Sequence, residues 1–380
     1  MAAWKGQWMK EDESEIWVVL ARVPHVVEDG YLKPGIDNLL KFREPPGATR
    51  LVVHRNIAPR RKTIDDNPYI VDGDWRGRFL LCATQGPEPE APVLDAFYSE
   101  PIDANHGLPK AYFICDTRTG RHSSTRLPDH GRPILNPRNA CLLNLSAEAF
   151  AVAELQPTVG ADHATLLLYE SASGVWNHAD LNYPPRDHPW GGHGVIMCNG
   201  EIWWVDLSYG FLAFDATNLA LRFVPLPDGC ELPPGEAAAA AADVEKRRCV
   251  GTNIGELRYV QIDERDGDPI VRMWTLLDED AGMWSFDCVA RFEAIWDDEG
   301  YKATKLPREI PAVAFVHPEH PGEVAYFFLN SRVFGVHLRK CRVLDWKFFE
   351  MLHPPMAYHS SRFVRLWRYI PALRDAPGFR

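Results

Sequence analysis

The sequence predicts an all-β chain folded as a β-propeller of four-stranded antiparallel blades, and three observations predict it. A strand–turn–strand unit recurs along the 380 residues. The 31 prolines and 27 glycines are spread through the chain rather than pooled, which implies many turns between short elements. Most of the 13 tryptophans sit inside β-like runs.

Taken in order, residues 16–23 (IWVVLARV) and 49–57 (TRLVVHRNI) read as strands. They form an irregular first blade over residues 15–60, or supply strands that close the ring and remove its edges. Residues 69–83 form a strand pair before the first clear unit, 111–128 (AYFICDTRTGRHSSTRLP). Residues 141–155 precede the second unit, 165–184, and residues 194–207 precede the third, 210–227. Each unit is an apolar run, an acid opening a turn (Asp116, Glu170, Asp215), a second strand and a closing proline. An acid there can accept hydrogen bonds from the next backbone amides, and proline ends the strand by removing a ladder donor. Asn199-Gly200 is a strong two-residue hairpin signal.

Two more divergent units follow, 271–292 and 332–350, each with a strand pair upstream. Anchored on Cys115, Tyr169, Phe214, Trp274 and Val336, the intervals are 54, 45, 60 and 62 residues. Four-stranded blades with insertions need about 40–50 residues or more. Six blades are expected, with five as the alternative, in one domain spanning residues 15–358. The long interval contains an alanine-rich insertion, residues 230–248, expected as a loop. In residues 359–380, Phe363, Leu366, Trp367 and Ile370 fall at i, i+3, i+4 and i+7, which predicts a short basic amphipathic helix. Its Arg362, Arg365 and Arg368 offer a contact to an anionic surface, although docking on the propeller's own flank is the plainer reading.

The net charge of −11 argues against a general nucleic-acid binder. The eight cysteines contain no Cys-x-x-Cys pair, so they read as buried thiols of a reducing compartment. Residues 1–15 lack an apolar leader core, and no run approaches a membrane span. A monomer in cytoplasm or nucleus is therefore expected.

Several stretches are similar to one known family. The run from Gly194 through Trp203-Trp204-Val205-Asp206-Leu207-Ser208 to Phe214-Asp215 carries the likeness first. It continues at Met273-Trp274-Thr275-Leu276, Ile295-Trp296, Val316-His317-Pro318 and residues 324–329. These resemble the plant domain of unknown function 1618, a family expanded in grasses. The resemblance implies a propeller-like fold, a plant origin and a distant similarity to F-box-associated propellers, with no reaction attached. The segment ahead of residue 16 is too short for an F-box.

Candidate chemistry centres on six residues. Trp203, Trp204 and Asp206 would either fill inter-blade space, with the acid capping a turn, or form an aromatic shelf for a sugar. His188, Trp190 and His193 lie in a loop that shapes a binding face; two histidines five apart suggest a metal only weakly. No metal or other cofactor is expected. A hydrolase would need carboxylates converging in the channel, and Asp116, Asp206, Asp215 and Glu256 are the candidates. Because the acids recur at one turn position, architecture explains them better. The chain is expected to be a non-enzymatic module presenting a propeller face to a protein partner; the alternative is a hydrolase or carbohydrate binder near Trp203 and Trp204.

Overall fold

The computed structural model describes residues 16–61, 63–86, 109–118, 122–129, 131, 133–186, 188–215, 219–233, 235–265, 267–319 and 322–369. For residues 215, 237–242 and 265 it describes the backbone alone. The fold is all-β and propeller-like, with three short helices among the described residues.

The first sheet contains β1 (Ile16–Val27), β2 (Asn38–Lys41), β3 (Ala48–His54) and β24 (Val364–Tyr369), in the order β2-β3-β1-β24. The second is a meander of β4 (Tyr69–Gly73), β5 (Arg78–Thr84), β6 (Lys110–Asp116) and β7 (Ser123–Arg126). An eight-stranded sheet follows, made of two meanders. One is β8 (Ala140–Asn144), β9 (Phe150–Pro157), β10 (His163–Glu170) and β11 (Val175–Asn182); the other is β12 (Gly194–Cys198), β13 (Glu201–Asp206), β14 (Gly210–Asp215) and β15 (Ala220–Pro225). A single parallel pair, Asn182 with Ala220, joins them. The next meander is β16 (Arg248–Asn253), β17 (Glu256–Arg265), β18 (Asp268–Asp278) and β19 (Met283–Arg291). The last is β20 (Ala312–Val316), β21 (Val324–Leu329), β22 (Arg332–His337) and β23 (Arg342–Phe348).

Local chemistry explains the hairpins. Asn199 and Gly200 both take positive φ, 49° and 81°, as the tight turn between β12 and β13 requires. Asp116 Oδ1 accepts from the Arg118 amide at 3.1 Å, and Asp278 Oδ1 from the amides of Asp280 and Ala281 at 3.0 and 2.8 Å. Of the three recurring turn acids, Asp116 holds its turn through its side chain, and Asp278 does the same in the β18–β19 turn.

Strands packed on both faces give each sheet two apolar sides, and the cores between sheets form a closed series. Leu51 and Leu20 of the first sheet meet Phe79 and Leu81 of the second. Leu80 and Ile114 then meet Leu142 and Val152, and Leu155 and Leu166 meet Trp204 and Leu212. Trp203 and Phe211 meet Tyr259 and Trp274; Val260 and Met273 meet Phe327 and Phe334. Finally Tyr326 and Phe328 of the last meander meet Val19 and Val364 of the first sheet. The layers therefore come full circle.

Two expectations are corrected. The basic helix is absent: Val364–Tyr369 is strand β24, paired antiparallel with β1 from Ile16↔Tyr369 to Ala21↔Val364. Both its faces are buried, Val364 in the core toward the last meander and Trp367 and Tyr369 in the core toward the second. Apolar residues thus occur at both parities, and their positions imitate a helical period. Ile370 lies outside the described residues. Arg365 consequently points into the molecule, only 18% of its side chain being exposed, and cannot serve a surface contact. The second correction is the insertion, where helix α1 (Glu236–Arg247) replaces the expected loop. Its run of alanines favours helix most strongly of all residues. Two more helices, α2 (Phe292–Asp297) and α3 (Glu299–Thr304), pack beneath the last meander.

Candidate functional site

Alternation along β13 sends its two tryptophans to opposite cores. Trp203 packs toward β17 and β18, Trp204 toward β9 and β10, and both are 0% exposed. The indole N–H of Trp204 donates to the Asn139 carbonyl at 2.8 Å. The Arg222 guanidinium lies 5.2 Å from the Trp203 ring. Neither ring faces solvent, so the two fill the cores between sheets and do not form the alternative, an aromatic shelf for a sugar.

Asp206 is also 0% exposed. Its Oδ2 accepts from the Gly191 amide at 2.7 Å and its Oδ1 from the Ser208 amide at 2.8 Å. Burial alone would raise its pKa, and the Gly191 and Ser208 amides oppose that by favouring the charged form. The His193 Nδ1 lies 3.4 Å from Asp206 Oδ1 and accepts from the Leu207 amide at 3.1 Å. With Nδ1 occupied as an acceptor, the approach to Asp206 is a contact rather than a hydrogen bond. Gly191 is required here, since a Cβ would sit 2.5 Å from the His193 ring and 2.8 Å from Asp206 Oδ1. The cluster fastens the loop before β12; it does not present an acid to a ligand.

The other loop residues diverge. His188 stacks on Tyr209 with centroids 3.6 Å apart, and Trp190 is half-buried against the core around Trp204. No three His, Cys, Asp or Glu side chains converge as a metal set among the described residues. Burial pushes the Cys82 thiol up to about 11 and the Cys115 thiol up to about 12, which suppresses thiolate chemistry at both.

The structure brings together a different set. A cavity of about 230 Å³ runs along the first strands of the later meanders and β24, at the axis of the ring. Val195, Val250, Phe315, Val316, Val364 and Leu366 give it apolar walls, and Arg22, Arg365 and Arg368 give it cations. No Asp or Glu is among its lining residues, so the paired carboxylates of a glycosidase are not assembled there.

Two of these arginines are held in detail. Arg365 reaches across the axis, donating to the Val195 carbonyl of β12 at 3.0 Å and pairing with Asp72 of β4 at 2.8 Å. Its burial lowers its pKa, which Asp72 opposes. Arg22, 5% exposed, donates to the Tyr69 hydroxyl at 2.6 Å and to the Val71 carbonyl at 2.9 Å. Tyr69 in turn donates to the Arg362 carbonyl at 2.8 Å. Nearby Arg138 pairs with Glu245 of α1, whose carbonyl also accepts from Ser361 Oγ at 3.1 Å. Helix α1 thereby links the segment leading into the β8–β11 meander to the first sheet at this end of the cavity. Sequence reasoning missed Arg22. The available signal was a single arginine inside the otherwise apolar run Ile16–Val27.

Residues 204–326 match the family model described as "Protein of unknown function (DUF1618)". That stretch runs from Trp204 through the meander β16–β19 to β21. A search of the curated proteins finds none that matches. Among solved structures, the chain is similar to the Myceliophteria thermophila Cps50 (Swd1) beta-propeller domain, at 11% identity and TM-score 0.39 over 84% of this chain and 89% of that one. It is also similar to the Fusarium graminearum GH93 alpha-L-arabinofuranosidase, at 10% identity and TM-score 0.36 over 84% and 86%. The Penicillium chrysogenum alpha-L-arabinanase follows at 10%, TM-score 0.34, over 82% and 85%. At such scores the likeness bears on neither activity nor ligand.

Proposed function

We propose that the chain is a six-bladed propeller acting as a non-enzymatic module that binds a protein partner. Support for six four-stranded blades comes from six successive inter-sheet cores, the last joining the final meander to the first sheet. The observation that carries the binding reading is apolar exposure on two neighbouring edges. Met283, Phe286 and Val289 are exposed on β19, and Leu344 and Phe348 on β23. Both are the outermost strands of their meanders, and Arg339, after β22, donates to the Asp287 carbonyl of β19 at 2.7 Å, which ties the two blades together. Edge strands usually carry charges that prevent pairing, and contiguous exposed apolar side chains mark contact surfaces.

The test is cross-linking of the tagged chain in an extract of its source cells, beside a Phe286→Glu/Phe348→Glu double variant. A partner captured by the wild type and lost from the folded double variant supports the reading. A partner retained by the variant, or none captured, overturns it.

A further inference from the structure

The cavity at the ring axis has a charge pattern that packing does not explain. Arg22 is nineteen-twentieths buried and, among the described residues, pairs with no carboxylate; its two hydrogen-bond partners there are a neutral hydroxyl and a neutral carbonyl. Its Nε is buried and finds no hydrogen-bond partner among the described residues. The Nε atoms of Arg138 and Arg362 likewise find no partner among the described residues, although their guanidinium groups pair with Glu245 and Asp65. Arg365 carries a further charge into the cavity, where Asp72 is its one carboxylate partner among the described residues. A buried guanidinium is costly unless paired, and an apolar side chain of similar size serves stability as well or better. The molecule as a whole is acidic, so this cationic end is set against its net charge of −11.

An oxyanion supplies what is missing: negative charge and lone pairs for N–H donors arranged in planar forks. The remaining wall, with Val250, Phe315, Val316 and Leu366, is apolar. At about 230 Å³ the space is below the roughly 300–1,000 Å³ of drug-sized sites, so it suits a small molecule. We propose that the axial cavity binds a small organic acid, its carboxylate or phosphate held by Arg22 and Arg365 and its apolar body lying along Val250, Phe315 and Leu366. This goes beyond the protein-binding reading and uses none of its residues, so either can fail alone.

Calorimetric titration of the full chain at pH 7 with hexanoate, hexyl phosphate and hexanol tests it. The two acids carry the same tail, so whichever binds more tightly identifies the head group. At least one acid is expected to bind, and hexanol to bind at least tenfold more weakly. Arg22→Met is expected to weaken the acid at least tenfold, and Arg22→Lys, which keeps the charge, to weaken it less. Arg291→Gln, at an exposed pair with Asp268, is expected to change nothing. No binding of either acid at about 10 mM, hexanol binding as tightly as the acids, or a folded Arg22→Met that binds like the wild type would each overturn the proposal. Should Arg22→Met fail to fold, the three wild-type titrations still decide it.

Discussion

The β12–β15 meander and the first sheet reach similar four-stranded geometry by opposite routes. In that meander β12 to β15 follow one another and pair in sequence order, and only the single Asn182–Ala220 pair joins β15 to β11. In the first, β24 from the far end of the chain pairs with β1, and β3 returns parallel to β1 with β2 outside it. One blade is local; the other is a clasp. The difference teaches that the binding-like chemistry belongs to the clasp, since Arg22 lies on β1 and Arg365 on β24, while the conspicuous Trp-Trp-Val-Asp run of the local blade is packing and turn capping.

The strongest way to break this comparison is to remove the clasp. A chain ending at residue 363 loses all six β1–β24 pairs and leaves the cores around Trp367 and Val364 open. It is expected to show no cooperative thermal transition. Replacing α1 with a short flexible linker should by contrast leave the transition in place. A cooperative melt for the truncated chain would mean that the ring does not depend on its clasp.

Single tryptophans sharpen the comparison. Trp204 in the local blade and Trp367 in the clasp are both buried and both donate their indole N–H to a carbonyl, of Asn139 and Asp74 respectively. Substitution of either by alanine is expected to cost about 3–5 kcal/mol in urea unfolding. A Trp367→Ala loss far smaller than that of Trp204→Ala would show a loosely closed first sheet.

A third prediction uses pH. Burial pushes the Glu154 carboxyl up to about 7 from its ordinary 4.5, against the Asn136 amide and Gln156 side chain that favour its charge. Between those values the folded chain holds a proton that the unfolded chain has lost. Its contribution is therefore greatest below 4.5, falls as pH rises, and levels off above 7. The stability of wild type relative to Glu154→Gln is expected to drop across that window by at most about 3 kcal/mol. A flat difference would place Glu154 in a more polar setting than the β8–β11 meander provides.

The smallest effect concerns Asp206. Asp206→Asn keeps the shape but turns one acceptor into a donor facing an amide, costing about 1–3 kcal/mol. Thermal unfolding measures it. No loss would return Asp206 to the pool of residues free for other work.

The same contrast explains what the sequence made legible. Asn199-Gly200 and the turn acids Asp116 and Asp278 act within a few residues of themselves, so their chemistry is visible in a linear reading. Strand β24 was read as helix because burial on both faces erased its alternation, leaving a spurious period of 3.6. Arg22 and Arg365 acquire meaning only from Tyr69, Asp72 and Val195, which are remote in sequence. His193 and Asp206 belong to two separate features in the linear reading, and the structure places them 3.4 Å apart in one loop fastening.

Hydrogen exchange at β24 tests the central claim most directly, because pairing of β24 with β1 both closes the ring and delivers the arginines to its axis. The β24 amides bonded to β1 are expected to exchange as slowly as those of β13, through global unfolding. Exchange of those amides within seconds, while β13 stays protected, would contradict the account.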